Sequence, residues 1–263
     1  MKQNKKLKLV LLSILGLVLF FGIWECSVRF GLVSERTLCA PSTALETLFT
    51  KMVEKKPDGA TIPVHFLASI KLSLSGFLLA IVIGIPLGLF MGYYKVLDSL
   101  FTPLFEIIRP IPPIAWIPVI ILWFGIGELS KWVIVFIGSF VPIVLNTSAG
   151  IRAIDPLMIS AGKVLGANRK QLLVDVAFPA TIPAILAGIR TALSSGWMCV
   201  VAAEMIVARQ GVGFLIVRGQ ESGDTALIVV CMLAIGVVSF LLSTILQKME
   251  GVLCPWQFSE TKL

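Results

Sequence analysis

The longest polar interruption in the apolar second half of this chain is Asp155 to Pro183 (DPLMISAGKVLGANRKQLLVDVAFPATIP), which carries Asp155, Lys163, Arg169, Lys170 and Asp175. Long apolar runs flank it, so any fold must place those runs in one environment and this segment in another. Its local signals predict two short helices joined at a glycine. Asp155-Pro156 suits an N-cap and first helical position, because the carboxylate accepts an orphan N–H and proline has none to offer. Gly166 reaches the left-handed conformation that ends a helix at little cost. Asn168, with Gln171 three residues on, matches a capping box. Pro179 and Pro183 are expected to end that second helix and open the next one. Leu157, Ala161, Val164, Leu165, Leu172 and Val176 recur at three- and four-residue steps as one apolar stripe. The stripe fits a helix resting on lipid headgroups, and it also fits a compact knob offered to a soluble partner.

The flanking runs decide the class. Of 263 residues, 57% are hydrophobic and 14% charged, with a mean hydropathy of +0.96. A soluble domain cannot hide that much apolar surface, which predicts an all-α integral membrane protein. The net charge of +7 then reflects lysines and arginines at a cytoplasmic surface, not a nucleic-acid partner. His65 is the one histidine, so a single subunit can build neither a histidine metal cluster nor a catalytic triad. The five cysteines show no C-x-x-C spacing, and most lie in apolar runs as small hydrophobes. No catalytic residue and no metal ligand set is expected.

Taken in order, the chain predicts about six membrane spans. Lys2, Lys5, Lys6 and Lys8 precede an uncharged run from Leu9 to Trp24, read as a retained first span with its amino terminus inside. Pro41-Ser42 opens a short surface helix with Leu45, Leu48, Phe49, Met52 and Val53 on one face, ended by Pro57-Asp58-Gly59. In the second span, Phe66 to Tyr94, Gly76, Ala80, Gly84, Gly88 and Gly92 keep a four-residue spacing that lets another helix approach closely in lipid. The third, Phe101 to Phe124, holds Glu106, Arg109 and the prolines 110, 112, 113 and 118, which free carbonyls that neighbours or a water-filled path must satisfy. Arg109 is either paired with Glu106, snorkelling to the surface, or placed on a transport path.

The fourth span, Trp132 to Ile151, contains Asn146-Thr147-Ser148, able to bind a solute or to bond a neighbouring helix. The fifth, Ala184 to Val207, carries Arg190, Ser194, Ser195, Gly196, Trp197 and Glu204, with Glu204 about 21 Å along the helix from Arg190. Residues 208–224 return to polar character, and Gly211-Val212-Gly213 reads as a turn, since no Walker lysine follows it. A last uncharged span, Ala226 to Leu246, leads to a tail inside. Lysines and arginines favour the side of the termini and of residues 152–180, although Arg29, Arg36, Lys51, Lys55, Lys56, Lys131, Arg209 and Arg218 fall on the other side. The pathway candidates are Arg109, Pro112, Pro113, Trp116, Asn146, Ser195, Trp197 and Glu204. No internal repeat is visible, which argues against an inverted-repeat carrier.

Ser160-Ala161-Gly162, three residues, Gly166, nine residues and Val176-Ala177-Phe178-Pro179 resemble the EAA loop of ABC-importer permeases. That motif runs Glu-Ala-Ala, three residues, Gly, nine residues, Ile-x-Leu-Pro, and the spacing agrees at each step; Ser160 and Gly162 depart from it. His65 to Ser69, Gly84 to Gly88, Arg109 to Pro118, Trp123 to Glu128, Asn146-Thr147, Trp197-Met198 and Ala202 to Met205 extend the resemblance to the nitrate/sulfonate/taurine-type permeases, from Pro41 to Leu246. Lys71 departs from an arginine often found near there. The resemblance implies a type I ABC-importer permease fold, a single domain with its core at about 66–246. It implies a cytoplasmic coupling loop at 152–180, formed by Ser160, Ala161, Gly162, Lys163, Leu165, Gly166, Ala167, Arg169, Val176 and Pro179.

It also implies a homodimer in the inner membrane, both termini cytoplasmic, with two ATPase subunits that hold the ATP and magnesium and an extracytoplasmic solute-binding protein. The implied cargo is a small anion such as a sulfonate, nitrate or taurine. The alternative is a partner-free secondary transporter or channel, which needs only the proline-rich third span and the intramembrane charges. A membrane-embedded enzyme is disfavoured, because no H-E-x-x-H, no G-x-S-x-G and no paired intramembrane aspartates occur.

Overall fold

The computed structural model describes residues 2–35, 37–53 and 59–254, with side chains from residue 11 onward. Arg36, Lys55, Lys56, the Pro57-Asp58 terminator and the carboxy-terminal tail with Lys262 lie outside the described residues, as do the side chains of Lys2, Lys5, Lys6 and Lys8. Among the described residues there is no strand.

The helices are α1 (Lys2–Arg29), α2 (Pro41–Val53), α3 (Ile62–Tyr93), α4 (Lys95–Ile108), α5 (Ile117–Phe124), α6 (Glu128–Arg152), α7 (Pro156–Val164), α8 (Arg169–Gln171), α9 (Phe178–Val207), α10 (Val212–Ser222) and α11 (Thr225–Leu253). A 3₁₀ turn, Pro113–Trp116, precedes α5, and a π-helical segment, Leu172–Ala177, joins α8 to α9. Five helical stretches are long and apolar enough to cross a membrane; α4 with α5 makes a sixth if the bent pair counts as one span.

α3, α6 and α9 form the centre. The four-residue small-residue series of α3 faces α6: a Cβ on Gly76 would lie 2.7 Å from Val135 Cβ, on Gly88 2.7 Å from the Val144 carbonyl and on Gly92 2.6 Å from Ile151 Cβ. Ala80 between them is fully buried. Lipid offers apolar groups no hydrophobic drive to associate, so the gain comes from many dispersion contacts of about 0.1–0.2 kcal/mol each, and bare backbone faces maximise their number. α9 meets α6 in the same way. Gly188 and Gly196 of α9 lie against Asn146 and Ser139, while Gly138 and Gly150 of α6 lie against Cys199 and Ala184. This second seam has its own sequence signal, Ala184, Gly188, Ala192 and Gly196 at four-residue steps.

The expected third span is not one helix. α4 and the Pro113–Phe124 arm meet at 89°. Pro110, Pro112 and Pro113 donate no backbone bond, so the helix ends at Arg109, which is itself still α (φ −53°, ψ −43°), and Pro112, the residue before Pro113, turns extended (φ −56°, ψ 131°). The opposite correction applies to the fifth span. No break occurs at Pro179 or Pro183; helical backbone runs from Arg169 to Val207. Just before Pro179 the ladder widens to π geometry, with Phe178 N–H bonded to the Leu173 carbonyl five residues back. α3 likewise runs helical through Pro86.

At the end of the bundle opposite α7, α2 and α10 close over α11. Cys39, Ala44, Ile62, Val212, Leu215 and Leu227 form one buried cluster. The surface helix α2 is therefore held on the bundle through Ala44 and Leu48, while Leu45, Phe49 and Val53 stay exposed. Residues 208–224 are not a polar loop either: α10 buries Val212, Gly213, Leu215 and Gly219. α1 stands largely apart. It is anchored by Trp24 Nε1–H donating to the Cys39 carbonyl (3.1 Å) and by Ser42 donating from N and Oγ to Glu25. Burial pushes the Cys39 thiol up from its ordinary range, as suits a packing cysteine.

Candidate functional site

Two features have the geometry of working parts: a polar cavity at the α4–α5 break, and the short helices between α6 and α9.

The cavity, of about 410 Å³, lies between the break, α6 and α9. Arg109, Asn146, Thr191 and Ser195 are its polar residues, and the larger part of the lining is apolar, with Ile111, Pro113, Trp116, Ile137, Val141 and Leu145. Each element supplies a residue for a local reason. The prolines stop α4 at Arg109 and free its side chain from helical neighbours. Pro142 leaves α6 without one backbone N–H, and Asn146 Nδ2 donates back to the Pro142 carbonyl at 2.8 Å, which fixes the amide against the cavity wall. Trp116 Nε1 is buried with no hydrogen-bond partner among the described residues. Arg109 and Glu106 make no ion pair among those residues. A guanidinium, an amide and a hydroxyl on one concave surface can together hold a small anion through charge-assisted and neutral donors.

Of the eight pathway candidates, the fold thus brings Arg109, Pro113, Trp116, Asn146 and Ser195 to one cavity. Pro112 is exposed in the break beside it. Trp197 is buried and lines a separate apolar cavity of about 460 Å³ with Ile114, Met198 and Ile235. Glu204 lies far along α9. It is 2% exposed, accepts from Ser69 Oγ (2.8 Å) and Gly213 N (3.0 Å), and so joins α3 to the start of α10. Gly211 N–H donates to His65 Nδ1 and Val212 N–H to Ser69 Oγ, each at 3.0 Å, completing the cap. The triplet Asn146-Thr147-Ser148 divides: Asn146 faces the cavity, and Thr147 and Ser148 are buried, Thr147 against Gly88 of α3. Thr191 was not singled out in the sequence; its four-residue spacing from Ser195 on one face of α9 is the signal that marks it.

In the second feature, Asp155 caps α7 by accepting from Leu157 N at 2.8 Å. Asn168 and Gln171 make both bonds of a capping box, at 2.9 and 2.8 Å. Between them Gly166 sits at φ +82°. Ala167 N–H bonds to the Gly162 carbonyl and Gly166 N–H to the Lys163 carbonyl, the paired closure of a Schellman motif. The backbone N–H groups from Leu165 to Asn168 are all bonded, which holds the bend in one shape. The apolar stripe splits. Gly162, Leu172 and Ala177 are buried between the two arms, whereas Leu157 is 75% exposed and Val164 and Leu165 are each 87% exposed. Ser160 turns its hydroxyl back to the Pro156 carbonyl (2.8 Å). Ala161, Lys163, Arg169 and Pro179 are exposed, and Ala167 and Val176 are half-buried. Tyr93 OH donates to the Arg169 carbonyl (3.3 Å), and Arg152 pairs with Asp98 (2.8 Å), which tie this end to α3 and α4.

A helical bundle with tight small-residue seams, a broken span around a polar cavity and a rigid knob at one end defines a membrane permease. The family model of the binding-protein-dependent transport system inner membrane component matches residues 84–256. A putative ABC transporter permease protein of Methanocaldococcus jannaschii is 42% identical over 190 residues, 72% of this chain and 71% of that one. The taurine transport system permease protein TauC of Escherichia coli is 34% identical over 247 residues, 94% and 90% of the two chains. A nitrate import permease protein, NrtB of Synechocystis, is 31% identical over 192 residues, 73% and 70%. In fold the chain resembles a structure of the inward-facing MetNI methionine ABC transporter, with TM-score 0.63 and 17% identity over 71% of this chain and 93% of that one. The chain belongs to the binding-protein-dependent transport system inner membrane component family, as a permease subunit of an ABC importer.

Proposed function

We propose that two copies of this chain, two cytoplasmic ATPase subunits and an extracytoplasmic solute-binding protein form an importer for a small organic or inorganic anion such as a sulfonate, nitrate or taurine. The observation that carries the reading is the rigid knob around Gly166. It exposes Leu157, Val164 and Leu165 on a short capped helix, a surface suited to a groove on a soluble partner. The knob end then lies in the cytoplasm with both termini, and the cavity at the break is a station on the path, with Arg109 meeting the anion. ATP and magnesium are held by the ATPase subunits. Closure of the ATPase pair moves the knobs together and shifts the permease between states that bind solute differently. Ser160, bonded to its own helix, offers no carboxylate to the partner, so the apolar face and the charges of Lys163 and Arg169 supply the contact.

The test is co-purification of the tagged chain with its ATPase, followed by hydrolysis measured with and without the binding protein. Hydrolysis that responds to the binding protein supports the importer. A stable chain that recruits no ATPase, yet transports anions in proteoliposomes, would replace this reading with a partner-free carrier.

A further inference from the structure

We propose that a second cavity, at the end of the bundle opposite the knob, binds a monoanionic oxyacid group. It has a volume of about 590 Å³ and is lined by Lys71 of α3, Glu128, Lys131 and Trp132 of α6, Glu204 of α9, and Arg209 beyond it. This volume falls within the roughly 300–1,000 Å³ of small-molecule sites. Three cations face two carboxylates, and both carboxylates are engaged. Lys131, only 8% exposed, is ion-paired with Glu128. Glu204 accepts from the Ser69 hydroxyl and the Gly213 N–H. Lys71 and Arg209 are exposed and make no ion pair among the described residues, so the lining carries an excess of positive charge. A concave site with low-dielectric walls focuses such a field on an anion. The excess charge suits an anion, and the amide of Gln210, which also lines the cavity, adds a donor to the ammonium and guanidinium. A sulfonate, nitrate or phosphodiester group has the several acceptor oxygens that these donors need.

The site is separate from the cavity at the break and shares no residue with it. The inference goes beyond the transport reading and does not depend on it. Its occupant is either a free oxyanion or the headgroup of an anionic lipid, and one experiment distinguishes them. The full chain is prepared in phosphatidylcholine nanodiscs in the Arg109→Ala background, which silences the other cavity. Trifluoromethanesulfonate binding is followed by fluorine NMR line broadening, with nitrate as competitor. Saturable broadening that nitrate reverses, and that weakens about tenfold or more in Lys71→Gln/Arg209→Gln, assigns a free anion. In parallel, native mass spectrometry after detergent extraction from phosphatidylglycerol membranes counts retained lipid. Retention by the parent chain and its loss in the double variant assigns the headgroup. Melting temperatures confirm that the variant is folded, and nitrate competition on the parent chain needs no variant. The inference is overturned if neither ligand is held, or if the double variant holds as well as the parent whichever ligand the parent holds. Since no ATPase is present, that failure would leave the importer reading untouched.

Discussion

Gly162 of α7 lies directly against Leu172 of the second arm: a Cβ at Gly162 would come 2.7 Å from Leu172 Cδ2. The position that departs from the alanine of the resembling motif is thus the one through which the two arms of the knob touch.

Two opposing effects decide what Gly162→Ala does. Alanine favours the helix by up to about 1 kcal/mol, and the methyl must displace only the flexible end of Leu172. Near-neutral stability and unchanged ATPase recruitment are expected. Gly162→Leu cannot be absorbed and should part the arms, costing about 1–3 kcal/mol. Equal ATPase pull-down for the leucine and parent chains would refute the contact as the element that sets the knob's shape.

The α3–α6 seam is less forgiving. A methyl at Gly88 would meet the Val144 carbonyl at 2.7 Å, and backbone cannot step aside, so Gly88→Ala should destabilise by about 1–3 kcal/mol. A methyl at Gly236 in α11 meets nothing within 4 Å, so Gly236→Ala should be neutral or stabilising. Thermal unfolding in detergent separates them; identical melting temperatures would mean the seam is looser than described.

Arg109→Ala should assemble and hydrolyse ATP normally but lose most uptake, because the charged donor of the cavity at the break is gone. Arg109→Lys, which keeps the charge without the planar fork, should recover part of it. Uptake into proteoliposomes of matched complex content is the measurement, and full activity in the alanine variant would remove Arg109 from the path.

Glu204→Ala should be among the more damaging single changes. It strips the acceptor from the Gly213 N–H, at about 1–3 kcal/mol for a buried donor left unpaired, and leaves Ser69 Oγ only the His65 carbonyl at 3.2 Å. Glu204→Gln keeps one acceptor oxygen and should fall between. Protease sensitivity near α10 reads the loss of the cap, and an alanine variant as resistant as the parent would show that α10 is held by its apolar face alone.

Signals that depend on local chemistry were legible in the sequence. Asp155, Gly166 and the Asn168–Gln171 pair each act within a few residues, and each makes the bonds its type and spacing dictate. Spans were legible as apolar runs, since length and composition determine crossing. Proline was not legible in the same way. At 110–113 it breaks a span and at 179 and 183 it does not, because the outcome depends on whether neighbours rescue the freed carbonyls, which is tertiary information. Glu204 shows the same limit. A buried carboxylate in an apolar run reads as a pathway residue, and only the fold brings Gly211 to Gly213 back to occupy it. Arg109, Asn146 and Ser195 stood out singly as polar residues in apolar runs. Their convergence required the 89° bend.

The seams of α3, α6 and α9 have a mechanical consequence. Gears mesh stiffly when their teeth are short, and here bare backbone at Gly76, Gly88, Gly138, Gly188 and Gly196 meets the short side chains Val135, Thr147, Cys199, Asn146 and Ser139. Long side chains can swap rotamers and let one helix slip past another by small steps; a glycine has nothing to swap. Sliding within the trio therefore means lifting whole helices apart, which forfeits many contacts at once. The trio is therefore expected to move as a block, with compliance at its margins, above all at the elbow between α4 and α5 that the block carries on its flank.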